Sequence, residues 1–145
     1  MHSGMSSDRI KSFKRARTGS LVLLFFLGLS ALPAAIVILS DPSGGNIGMP
    51  LDMLDHTPFQ NFLIPAILLG LFNGIMSLLF AVLVMRKHPL QSWMVMFQGA
   101  TLAVWLTAEV FMKLYYTYLT LPYYVVAILL LACGIWMKLS EPDQT

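Results

Sequence analysis

Apolar residues fill four long stretches of this chain, and most polar residues lie in the breaks between them. The stretches cover residues 21–39, 62–85, 93–112 and 119–137. They are continuous rather than alternating, and at this length they favour helices over strands. A helix rises about 1.5 Å per residue, so about 20 apolar residues cross a hydrocarbon layer about 30 Å thick. The pattern therefore predicts four membrane-spanning helices.

The composition supports this interpretation. Of 145 residues, 57% are hydrophobic and 11% are charged, whereas about a quarter of the residues in soluble domains carry charge. Lipid offers no hydrogen-bond partners, and short connections place neighbouring helices antiparallel. We expect an all-α membrane protein, a four-transmembrane-helix antiparallel bundle in contact with the lipid bilayer, and no binding of nucleic acid. The predicted parts are a basic tail (1–17), a membrane domain (18–139) with helices at about 18–40, 61–85, 91–113 and 119–138, and a short tail (140–145).

The position of the charges predicts an orientation. The connection between the first two stretches carries Asp41, Asp52 and Asp55 and no Lys or Arg. Because basic residues are retained on the cytoplasmic side, both ends should lie inside and this connection outside. The basic residues that support the prediction are Arg9, Lys11, Lys14, Arg15 and Arg17 before the first stretch, Arg86 and Lys87 before the third, and Lys138 after the fourth.

The start of the chain is also compatible with a secretory signal, which has a basic head and a short apolar core. Retention is favoured because the apolar stretch continues through residues 36–39 without a clear small-x-small cleavage site. Whether the first helix is retained or cleaved remains open from the sequence. The one cysteine, Cys133, excludes a dithiol oxidoreductase and is best interpreted as a packing residue.

The third helix carries the main polar pattern. Gln98, Thr101, Trp105 and Glu109 recur at steps of three and four residues, which places them on one face. Asn73, between Gly70 and Gly74, is predicted at a similar depth to Thr101. These five polar residues are our candidates for lining a cavity or binding a ligand. The alternative is that this face packs against the other helices with a few hydrogen bonds.

Glu109 deserves separate consideration because a carboxylate within the hydrocarbon layer is costly. Sixteen residues separate it from Trp93, about 24 Å along a helix, which places it near the outer edge. Lys113 follows four residues later, in the order that favours an ion pair on a helix. Either Glu109 and Lys113 pair at the interface, or Glu109 serves a ligand or a proton from the outside.

The outer connection contains a second polar cluster, Asp52, Asp55 and His56. The sequence from Pro50 to His56 predicts a short interfacial helix that ends at Thr57. The three polar residues match no established metal pattern. We therefore expect a solvated loop, with no metal and no cofactor.

Phe59-Gln60-Asn61-Phe62-Leu63-Ile64-Pro65 precedes an apolar helix that ends at Arg86-Lys87-His88-Pro89. This pattern, continued by Gly99 and the stretch 105–109, resembles small bacterial four-helix integral membrane proteins of uncharacterised function. The resemblance implies a multi-pass protein of the bacterial plasma (inner) membrane. It implies no activity and no functional residues.

The leading functional hypothesis is a non-enzymatic membrane protein that is either an accessory or interaction component of a partner membrane protein or a homo-oligomer. The alternative is a small transporter or ligand-binding membrane protein with an outward-facing cavity lined by the third helix. A third hypothesis is a membrane enzyme that acts on lipid at the outer leaflet through His56 and Asp52, but no catalytic motif in the sequence supports it, and we assign no catalytic residues.

Overall fold

The computed structural model describes residues 2–45, 51–55, 57–111 and 117–140, and within these residues the fold is all-helical. Four helical segments are long and apolar enough to cross a membrane, as the sequence predicted. We number them spans 1 to 4 in chain order. Span 1 is α1 (His2–Ser40), span 2 combines α2 (Leu63–Leu68), a π-helical segment (Leu69–Ile75) and α3 (Met76–Met85), span 3 is α4 (Gln91–Phe111) and span 4 is α5 (Thr117–Leu139).

Span 1 occupies the middle of the bundle together with span 4. It packs along span 2 on one side and along span 4 on the other, and span 3 packs mainly against span 4. Spans 2 and 3 are neighbours in sequence, yet they contact each other far less than the other adjacent pairs do. The order around the bundle is therefore 2-1-4-3, with a weakly packed gap between spans 2 and 3.

Small residues bring the tightly packed spans together. A Cβ atom on Gly74 would lie 3.2 Å from the Cα atom of Leu32 in span 1, and one on Gly99 would lie 2.9 Å from the backbone nitrogen of Leu131 in span 4. A methyl group at Gly99 would force a neighbour to shift, and one at Gly74 would be tighter than most contacts, so both glycines permit close backbone approach. The prediction that the glycines beside Asn73 admit a neighbouring backbone is confirmed at Gly74.

Span 1 begins at His2, well before the expected start near residue 18. Two residues of the added turns contact the bundle: Phe13 is buried, and the Arg9 guanidinium donates to the Leu139 carbonyl at 3.3 Å. Arg17 donates from Nε and Nη2 to the Val84 carbonyl at 3.1 and 2.9 Å. Its Nη2 also donates to the Met85 carbonyl at 3.0 Å. A basic helix can thus continue beyond the apolar stretch because its cations bind the C-terminal carbonyls of spans 2 and 4.

A tight turn connects spans 2 and 3. Lys87 adopts a left-handed conformation with φ of 58°. Its N–H donates to the Val84 carbonyl, and the His88 N–H donates to the Leu83 carbonyl, both at 3.0 Å. This pair of hydrogen bonds is the Schellman arrangement, which satisfies the last carbonyls of a helix. His88 Nδ1 then accepts the Leu90 N–H at 3.0 Å, just before α4 begins.

The connection between spans 1 and 2 is closed at its base, because the Phe62 N–H donates to the Pro42 carbonyl at 2.8 Å. It contains a short 3₁₀ helix, Leu51–Leu54, which confirms the predicted helical turn in this region. Leu54 is buried and anchors that turn, and the Thr57 hydroxyl donates to its carbonyl at 2.9 Å. We call this end of the bundle the 41–62 end.

Cys133 fits the packing interpretation. It lies partly buried against the core, and a Cβ atom on Gly19 would stand 3.7 Å from its Sγ atom. The thiol therefore occupies the contact between spans 1 and 4.

Candidate ligand-binding cavity

A cavity of about 320 Å³ opens between spans 2 and 3 at the 41–62 end of the bundle, where the two spans do not pack tightly. We call it the lateral cavity. Its lining residues are Ile38, Phe59, Phe62, Pro65, Ala66, Leu68, Leu69, Phe72, Asn73, Thr101, Val104, Trp105, Ala108 and Glu109.

The wall of the lateral cavity is mainly apolar and aromatic. The cavity opens to the side of the bundle, between spans 2 and 3. Phe72 on span 2 and Val104 on span 3 line the cavity yet are 42% and 69% exposed, so they lie at its lips. In a membrane, exposed apolar side chains along a span face lipid rather than water. A molecule dissolved in the bilayer would therefore have direct access between the two helices.

Asn73 is the most unusual residue of this wall. It is 0% exposed, and neither its Nδ2 nor its Oδ1 atom has a hydrogen-bond partner. An unpaired amide in apolar surroundings costs several kcal/mol, so such groups normally bind protein, water or a ligand. The Asn73 amide is therefore an unpaired polar group buried within the wall of the lateral cavity.

The polar residues of span 3 line the opposite wall. Thr101 lies nearest the level of Asn73, and its hydroxyl donates to the Phe97 carbonyl of its own helix at 2.8 Å, which leaves its lone pairs available to accept. Trp105 and Glu109 follow at one-turn intervals on the same wall. Four of the five candidate residues from the sequence therefore share one cavity.

Gln98, the fifth candidate, is placed elsewhere. It is fully buried and does not line the lateral cavity. Its Nε2 atom donates to the Phe72 carbonyl of span 2 at 3.0 Å, whereas its Oε1 atom has no partner. Gln98 therefore joins spans 2 and 3 beside the cavity, on the side away from the 41–62 end. This placement agrees with the alternative that the polar face packs against other helices.

The Phe72 carbonyl belongs to the π-helical segment Leu69–Ile75, an irregularity that the apolar pattern did not predict. At the end of this segment the Met76 N–H donates to the Leu71 carbonyl, five residues back, rather than four as in an α-helix. A wider turn changes the direction of the side chains that follow it. The pair Gly70 and Gly74, which frames Asn73, was the available signal for an irregular helix.

The second candidate cluster is not part of this site. Asp52 and Asp55 are exposed and do not line the lateral cavity, and His56 lies outside the described residues. Lys113 also lies outside them, so the predicted ion pair with Glu109 stays a prediction. In the described part of the chain, no three His, Cys, Asp or Glu side chains are grouped so that they could hold a metal ion.

Comparisons with protein-family models, with curated proteins and with solved structures found no match to this chain. Fold and cavity alone therefore define its class. It is a helical protein with four segments that can cross a membrane, consistent with a multi-pass membrane protein.

Proposed function

We propose that this chain is an integral membrane protein that binds a small, mainly apolar molecule in the lateral cavity. One observation carries the proposal: the cavity brings the unpaired amide of Asn73 together with Thr101, Trp105 and Glu109 inside an apolar wall. Apolar pockets with a few convergent polar groups are the usual form of small-molecule sites.

The size of the cavity limits the ligand. An apolar cavity of about 150 Å³ accommodates one benzene ring. The lateral cavity, at about 320 Å³, has roughly twice that volume. The ligand is therefore comparable to two aromatic rings, or to one ring with a short chain, and is far smaller than a phospholipid.

We further propose that the 41–62 end faces outward and that both ends of the chain are cytoplasmic, in the inner membrane of a bacterium. The acidic 41–62 connection and the basic residues at the other end support this orientation, and the resemblance described above supports the location. Cysteine placed at Ser43 in a Cys133→Ala background should react with an impermeant maleimide on intact cells. Cysteine placed at Lys14 should react only after permeabilisation, and the reverse pattern would exclude the orientation.

A cavity-filling variant tests the binding function. Ala108 lines the lateral cavity, and Ala100, two turns earlier on the same helix, is exposed and does not. Native mass spectrometry after gentle extraction should show a small retained molecule on the wild type and on Ala100→Phe, but not on Ala108→Phe. Equal retention by all three proteins would refute the site. Uptake by proteoliposomes would then distinguish a transporter from a binding protein.

A second candidate function is an accessory or oligomeric component that binds a partner membrane protein. The sideways opening between the lips Phe72 and Val104 favours it, because a helix from another chain, or from a second copy, could cover that gap. The same mass spectra report the copy number and any partner chain. Cysteine at Val104 should then form cross-links to that chain, whereas cysteine at Ala100 should not.

A further inference from the structure

We propose that the ligand of the lateral cavity is a lipophilic cation, with its positive charge beside Glu109 and Trp105 and its apolar body directed towards Asn73. This inference rests on the proposed binding function and adds the chemical class of the ligand.

The charge of the cavity wall favours a cation. Among the lining residues in the described part of the chain, Glu109 is the one ionisable side chain, and none is Lys, Arg or His. A carboxylate in apolar surroundings is stabilised by a nearby positive charge, and it repels an anion. Trp105 lies one turn away and contributes an aromatic face, the strongest side-chain partner for cation–π contacts.

The apolar body of the ligand follows from the rest of the wall. Between Glu109 and Thr101 the helix advances eight residues, which is about 12 Å. Gln98 contacts the backbone of Phe72, so Asn73 lies near the level of Gln98 and Thr101, at the far end of this distance. The side chains between these two levels include Phe72, Val104 and Ala108. A ligand with a charged head and an apolar body of about 12 Å, ending at the level of Asn73, therefore matches the cavity.

Three probes that share one apolar body separate the effect of charge from that of size. They are 4-phenylbutyltrimethylammonium, 4-phenyl-1-butanol and 4-phenylbutane-1-sulfonate. Trp93 and Trp136 lie outside the lateral cavity and are exposed. Replacing both by Phe leaves Trp105 as the single tryptophan, because the chain has three. Its emission then reports binding in the cavity of the full-length protein in nanodiscs.

We expect saturable binding of the cation with a Kd about tenfold or more below that of the alcohol, equivalent to about 1.4 kcal/mol, and no binding of the sulfonate. In Glu109→Gln the preference for the cation should disappear while the alcohol still binds. Glu109→Asp should restore it. Elution volume and melting temperature of each variant show that the fold is retained.

The outcomes distinguish the two proposals. Equal affinity for the cation and the alcohol, or a preference that survives Glu109→Gln, would overturn the cation inference and leave the binding function intact. If no probe binds saturably, or if Ala108→Phe binds them as the wild type does, the binding function itself fails.

Discussion

The contact of Arg17 with the end of span 2 gives the sharpest test of how the bundle is held together. Arg17→Met removes the guanidinium that donates to the carbonyls of Val84 and Met85. Arg15→Met is the matched control, because it removes the same charge from an exposed position two residues earlier on the same helix. Any general effect of losing one positive charge from this end should affect both variants equally.

The expected magnitude follows from the geometry. Arg17 makes three hydrogen bonds of 2.9 to 3.1 Å with two carbonyl groups, and a hydrogen bond to a charged group contributes about 1.5 to 3 kcal/mol. The bond to Met85 is exposed, and the freed carbonyls can bind water at the membrane surface, so the sum must be discounted. We expect Arg17→Met to lower the free energy of unfolding by about 2 kcal/mol, or about 30-fold in the folding equilibrium constant. Arg15→Met should change it by less than about 0.5 kcal/mol.

Cys133 provides the assay, because it is the chain's one cysteine and is partly buried. A maleimide dye that fluoresces on reaction reports its exposure during thermal or detergent unfolding. The free energy of unfolding of Arg17→Lys should lie between those of the wild type and Arg17→Met, since an ammonium group lacks the planar arrangement of donors that binds two carbonyls. Equal losses in Arg17→Met and Arg15→Met would show that charge alone, and not the carbonyl contacts, stabilises this end.

Three further outcomes concern stability and can be measured by thermal unfolding followed by circular dichroism. Gly74→Ala should lower the free energy of unfolding by about 1 to 3 kcal/mol, because the added methyl group meets the backbone of span 1. Gly19→Ala is the control, since its methyl group has room, and similar melting temperatures for the two variants would contradict the packing argument. Asn73→Leu should raise the free energy of unfolding, because it removes an unpaired buried amide, and it should weaken ligand retention in native mass spectra. A loss of stability would mean that the amide has a hydrogen-bond partner. Tyr123→Phe should lower the free energy of unfolding by about 1 kcal/mol, because it removes the 2.8 Å hydrogen bond to Ser30 in span 1. Tyr124→Phe should lower it less, because the 3.1 Å bond to Thr107 is exposed, and the opposite order would reject this ranking.

Hydrophobic patterning was sufficient for the fold class because lipid imposes one simple rule. A segment that cannot hydrogen-bond to its surroundings must be helical, so four long apolar stretches already specify four helices. The sequence pattern also marked the breaks, because polar residues separate the apolar stretches there. The order of the spans around the bundle was beyond this reasoning. It depends on which helix presents a small residue such as Gly74 or Gly99 to which neighbour, and that is a three-dimensional property.

The candidate site was partly predictable for a related reason. Helical periodicity alone places Thr101, Trp105 and Glu109 on one face, and all three line the lateral cavity. Periodicity does not reveal whether a polar face packs against another helix or lines a cavity. Gln98 lies on the same face and packs against span 2, because there the two spans meet. The aromatic part of the wall, Phe59 with Phe62 and Phe72, comes from another span and from a connection, so no single periodic pattern contains it.

The order 2-1-4-3 has a consequence for assembly during synthesis. Spans 1 and 2 can form a hairpin by contacts between residues that are close in the chain, and so can spans 3 and 4. The contact between spans 1 and 4 joins residues about a hundred positions apart, such as Tyr123 with Ser30, and it unites the two hairpins. The lateral cavity is therefore the side on which the two associated hairpins are not sealed against each other.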